Sequence, residues 1–245
     1  MRARLARVRS ATPLGLGIVV AAAAVLPPFH ELSEQLFSAH MVQHELLMTI
    51  AAPLIVLGRP MVVALWLLPR RWRAPAARFA RRPALRTCTN AITAPVVALL
   101  LHGLAIWLWH APVLFESAIH NDVVHAAQHI SFLATGVIFW WAVLQPRRRS
   151  QRGVSILLLF TTAIHTGVLG ALMTFARTPW YSDYTRSAAF GLTPMADQQL
   201  AGMIMWIPGS VGYLVAALYS IRRWLAESEW EVARGERSRY AAVTR

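Results

Sequence analysis

The sequence predicts an all-α fold, a polytopic membrane helix bundle of six transmembrane helices with both termini cytoplasmic. Three observations lead there. The 245 residues are 56% hydrophobic and only 14% charged, with a mean hydropathy of +0.45, which sets the chain apart from ordinary water-soluble domains. The apolar residues gather into stretches of about 20, the length that crosses a hydrocarbon core of roughly 30 Å. All 24 basic residues are arginine, and they lie between those stretches rather than along one face.

Taken in order, the first apolar stretch covers 11–29 and follows an arm bearing Arg2, Arg4, Arg7 and Arg9. It reads as a retained helix rather than a signal peptide, because Leu26-Pro-Pro-Phe29 makes a poor cleavage region. The second covers 37–57. The arginine-rich connection after it, 59–86, suits a short interfacial helix with Trp66 and Trp72 at headgroup level, followed by a basic segment that meets anionic lipid. The third and fourth stretches cover 87–109 and 123–144, before the arginines between Arg147 and Arg152. The fifth and sixth cover 154–176 and 200–221, and the tail beyond reads as a polar helix.

Orientation follows from retention of arginine on the cytoplasmic side. Six spans put every arginine except Arg177 and Arg186 on one side; an odd number would scramble the alternation. The formal charge of +13 therefore reads as topology and lipid contact, with no nucleic-acid partner. One cysteine, Cys88, excludes an internal disulfide and any CxxC site. With no internal repeat and no nucleotide loop, 1–245 reads as a single membrane domain.

The nine histidines all fall outside the cytoplasmic connections. His40 and His44 open the second span from the outer side and His125 and His129 open the fourth, while His30, His110 and His120 lie in or beside outer connections. His102 is in the outer half of the third span and His165 near the middle of the fifth. Residues four apart share a helix face, so His40, His44 and Met48 form one descending stripe and Asp122, His125 and His129 a second at the same depth. Met203 lies one turn below Gln199 in the sixth span, close to Met205. A histidine pair on a membrane helix often serves only interhelical hydrogen bonding, and methionine there usually packs. Glu45 is harder to treat so, since a carboxylate inside lipid costs on the order of 3 kcal/mol and faces a partner or cavity.

Imidazole plus thioether without thiolate favours copper; heme held by a bis-histidine pair such as His44 and His129 is the alternative. The expected metal ligands are His40, His44, His125 and His129, with Met48, Met203 and Met205 as a soft path and Glu45, Asp122 and Gln128 steadying the imidazoles. The two histidine pairs are expected to converge in one pocket.

Three segments, "SAHMVQHELLMTIAAPLIVLGRP", "IWLWHAPVLFESAIHNDVVHAAQHISFLATGVIFWW" and "WYSDYTRSAAFGLTPMADQQLAGMIMWIPG", closely resemble the multi-spanning CtaG family of bacterial cytochrome c oxidase assembly factors. The motifs that carry the resemblance are HMxQH, WHxP, HxxxH and DQxxxGxxMW. The single-anchor copper chaperone that shares the name is a different protein. The resemblance implies a non-enzymatic protein of the bacterial plasma membrane, needed to make an active heme-copper oxidase and involved in copper delivery. Its partners would be oxidase subunits I or II and an external copper donor. Two departures stand out: family members often have a further N-terminal span, and Glu45 stands where an apolar residue or methionine is common. A membrane b-type cytochrome and a metal-free chaperone of oxidase subunits remain open as alternatives.

Overall fold

The computed structural model describes residues 2–145, 151–181 and 184–243; the arginines at 147–149 and Arg245 lie outside them. Helix α1 (Arg2–Val25) leads through α2 (Phe29–Ser33) into α3 (Phe37–Glu45), a π-helical stretch at Leu46–Ala51, and α4 (Ala52–Leu57). Helices α5 (Pro60–Leu67), α6 (Arg70–Ala80) and α7 (Pro83–Ile92) precede α8 (Pro95–Trp109), α9 (Pro112–His120) and α10 (Asp122–Leu144). Helix α11 (Gln151–Thr174), a 3₁₀ turn at Thr185–Phe190, and α12 (Pro194–Val243) complete the order. All regular elements among the described residues are helical, as the sequence predicts.

The span count is where expectation and structure part. Four helices among the described residues are long and apolar enough to cross a membrane: Phe37–Leu57, Asp122–Leu144, Arg152–Thr174 and Pro194–Ala226. The third expected span is not straight: Pro83–Ile92 and Pro95–Trp109 meet at 60°, giving a fifth crossing only if the bent pair acts as one. Pro95 is the cause, since it lacks an N–H and drives Ala94 to an extended ψ of 135°. The apolar part of the first expected span, Ala11–Val25, has only 15 residues, about 22 Å of helix against a core of roughly 30 Å, because Pro27 and Pro28 end it early. At the other end α12 runs unbroken for 50 residues, so the polar tail continues the last span.

The π-helical stretch has a local reason. Its hydrogen bonds step five residues, the last running from the Ala52 N–H to the Leu47 carbonyl. The next donor would be residue 53, a proline, which has no N–H to give Met48. The Trp140 indole supplies the missing proton, donating to the Met48 carbonyl at 2.8 Å, and so ties this stretch to α10.

Helix α12 packs along α11 and against α3, while α10 packs on α8 and α4. The α11–α12 crossing depends on two glycines. A Cβ on Gly170 would lie 2.7 Å from the Gly202 carbonyl oxygen, and one on Gly202 would lie 2.6 Å from that of Gly170. The backbones touch there as small residues permit. Leu100, Leu104 and Leu108 on α8, Leu157, Ile164 and Leu172 on α11, and Ile207, Val211 and Leu218 on α12 are exposed, apolar stripes of the kind lipid covers. Polar groups instead gather inside one end of the bundle, beside a core of Phe37, Met41, Met48, Phe115, Phe132 and Met205.

Candidate metal centre

The site starts at the head of α3. Leu36, the residue before it, offers no side-chain cap, and the orphan amides find a partner 160 residues away in sequence. Asp197, fully buried in the first turn of α12, accepts from the Phe37 N–H at 2.7 Å and the Ser38 N–H at 3.0 Å. Two charge-assisted bonds satisfy donors that would otherwise be buried unmet. They also fix where α3 begins, and hence where the next turn's histidines lie.

His40 and His44 then fall on one face, their ring centroids 4.3 Å apart and nearly edge-on at 83°. On α10 the Asn121 side chain caps the first turn, accepting from Val123 N–H at 2.9 Å and Val124 N–H at 3.2 Å, and His125 and His129 follow with centroids 4.3 Å apart. The two helices bring the pairs together: His40 stacks on His125 at 5.2 Å, and His44 meets His129 at 5.5 Å. The tightest set is His40, His44 and His129, all buried, each with a ring nitrogen within 4.8 Å of the others. Phe115 packs against His40 and Phe132 against His44.

The nitrogens are as informative as the distances. His44 has neither ring nitrogen hydrogen-bonded, and His40 Nε2, His125 Nε2 and His129 Nε2 are likewise buried without a partner. Buried polar atoms are nearly always satisfied, so several orphans converging on one spot make this the candidate site. One ring is also oriented from outside the cluster: the Tyr184 hydroxyl lies 3.2 Å from His40 Nδ1, leaving Nε2 as the unpartnered nitrogen.

His110, at the end of α8, joins the group although its sequence position suggested only an outer connection. Its Nδ1–H donates to the Ile106 carbonyl at 2.6 Å, Nε2 is orphaned, and its ring sits 5.9 Å from His44. Tyr181 anchors this corner by donating to the His110 carbonyl at 2.7 Å. Burial, with the Glu116 carboxylate nearby, pushes the Tyr181 phenol above its ordinary value, so it keeps the proton it donates. The WHxP and DQ motifs contained His110 and Asp197; only the fold reveals what they do, and no spacing pointed to Tyr184.

The other expected residues divide. Gln128 is fully buried beside His40, and Asp122 lines a cavity with His30, His125 and His129. Met48 and Met205 are buried in the adjoining core. Met203 is 40% exposed, two residues round the helix from Met205 and turned out of that core. Glu45 also points elsewhere: a Cβ on Gly209 of α12 would lie 2.8 Å from its Oε1. One residue past His44 is about 100° around the helix, which carries the carboxyl off the histidine face.

A bundle of apolar helices with a buried imidazole cluster at one end defines a helical membrane protein, in which three imidazoles lie close enough together that they could hold a metal ion. The family model described as cytochrome c oxidase caa3 assembly factor (Caa3_CtaG) matches residues 2–227, and the chain belongs to that family. Among curated relatives, uncharacterized proteins of Mycobacterium bovis and Mycobacterium tuberculosis are each 28% identical over 210 residues, covering 82% of this chain and 32% of theirs. One of Mycobacterium leprae is 25% identical over 217 residues, with the same coverage. The chain thus spans about a third of the length of those relatives. No solved structure matches it.

Proposed function

We propose that this protein is a non-enzymatic assembly factor that holds copper at the outer face of the bacterial plasma membrane and passes it to a heme-copper oxidase subunit, I or II. The observation that carries the reading is the set of ring nitrogens of His40, His44 and His129 within 4.8 Å of one another, with unpartnered nitrogens on all three rings. Three imidazoles around one ion at about 2 Å each would stand roughly 3.5 Å apart, a contraction that small ring rotations supply. His110 Nε2 is the candidate for a fourth position.

The donor chemistry supports copper over zinc, since no carboxylate or thiolate joins the set and the adjoining core holds Met41, Met48, Met173 and Met205. Imidazole accommodates both copper oxidation states, and thioether favours Cu(I). Heme between His44 and His129 fits less well, because His40 belongs to the same tight group and occupies space beside that axis where a macrocycle would extend. The arginine asymmetry supports placing the histidine end outside and both termini inside.

The reading is tested by complementing a strain that lacks the gene with the wild-type chain or with His44→Ala/His129→Ala, at limiting copper. The variant should reach the membrane yet support little oxidase activity, and added copper should partly restore it. Normal oxidase activity in the variant, or a Soret band from purified wild-type protein, would overturn the proposal.

A further inference from the structure

The buried histidines do not reach the surface by themselves, yet cargo must arrive. His30, on α2, bridges the gap. Its side chain is 30% exposed, with Nε2 3.5 Å from Glu34 Oε1, while its Nδ1 is buried and unpartnered. Its ring stacks on His125 at 5.3 Å, with the planes 27° apart. His125, only 9% exposed, stacks in turn on His40 at 5.2 Å and touches His129 at 4.3 Å. An unbroken file of imidazoles therefore runs from the partly exposed His30 to the buried triad, with no step above about 6 Å between centroids.

A cavity of about 580 Å³ lies along this file. His30, Asp122, His125 and His129 supply its polar wall, while Ile18, Leu47, Ile55 and other apolar residues of α1, the π-helical stretch, α4 and α10 form the rest. Asp122 sits one turn before His125 and gives this outer end the carboxylate that the triad lacks.

We propose that His30, His125 and Asp122 form a separate receiving site for a copper ion, from which it passes by way of His125 to His40, His44 and His129. This rests on the copper reading above. Two imidazoles and a carboxylate at an exposed end make a harder, looser set than three buried imidazoles, so the ion moves toward tighter binding. His125 faces both sets, so it can keep hold of the ion while the other ligands exchange. No redox step is involved.

The test is the rate of copper loading into the full chain in lipid nanodiscs, by stopped-flow transfer of Cu(I) from a coloured chelator, together with the copper bound at equilibrium. His30→Ala should slow loading about tenfold, on the scale seen when a metal-site group is removed, yet leave equilibrium content unchanged. Asp122→Asn should slow it less. His44→Ala should lose equilibrium content instead. Wild-type loading rates in His30→Ala, or a fall in its equilibrium content matching that of His44→Ala, would overturn the receiving site while leaving the copper reading intact. Failure of the wild-type chain to bind copper would overturn both.

Discussion

Two buried histidine environments stand a few helical turns apart, and they are built on opposite plans. His102, inside α8, is fully buried, and both its nitrogens are partnered: Nδ1 lies 3.1 Å from the Thr135 hydroxyl and Nε2 3.4 Å from the Tyr213 hydroxyl. Its ring stacks on Phe139 at 5.3 Å. His44 is equally buried, yet neither of its nitrogens has a partner, and the rings of His40, His110 and His129 surround it. Burial alone therefore says little about a histidine's role. An environment that satisfies both nitrogens holds helices together, whereas unsatisfied nitrogens gathered in one place are the basis of the proposed copper site, because an orphaned buried polar group costs about 1–3 kcal/mol.

The largest effect that can break this contrast is removal of ligands. Replacing both His44 and His129 by alanine should weaken copper binding by more than ~100-fold, beyond the 10–100-fold typical of groups that only orient ligands; equilibrium dialysis of purified protein reads it. His102→Ala should do the reverse. It leaves a cavity and an unpaired Tyr213 hydroxyl, destabilising the protein by about 2 kcal/mol in a thermal or denaturant melt, with copper affinity unchanged. A copper defect in that variant would erase the distinction between the two environments.

Smaller changes sharpen the comparison. Tyr184→Phe removes the hydroxyl that lies 3.2 Å from His40 Nδ1 and donates to the Ser33 carbonyl at 3.3 Å while keeping the ring, so copper affinity should fall about tenfold and stability in the melt by about 1 kcal/mol. Met203→Leu should change affinity and stability by less than ~0.5 kcal/mol, as expected of an apolar side chain that is 40% exposed. A large copper defect there would return Met203 to the path that its spacing first suggested.

How far the sequence could be read depended on the range of the forces involved. Apolar length revealed the helical membrane bundle, because it acts through the solvent, but it counted six spans where the described residues offer four, or five with the bent pair. Four-residue spacing joined His40 to His44 and His125 to His129, because helix periodicity is local. Glu45 and Met203 show the limit of spacing: each sits within a turn of the relevant level, but rotation about the helix axis puts Glu45 beside Gly209 and leaves Met203 40% exposed. The bend at Pro95 was written in the sequence yet hidden by the surrounding hydropathy. Tyr184, Asp197 and His110 could not be assigned, since their roles depend on which helix ends meet after folding. The Asp197 carboxylate capping a helix that starts 160 positions earlier leaves no pattern in either segment.

The central claim is that one ion is held by imidazoles at the head of α3 and α10. X-ray absorption at the copper edge tests it most directly, on purified wild-type protein loaded with one equivalent of copper. The account predicts nitrogen scattering at about 2.0 Å from three or four imidazoles, reduced to unbound or loosely held copper in His44→Ala/His129→Ala. Sulfur-dominated scattering, an unchanged spectrum in the variant, or wild-type protein that retains no copper would contradict it.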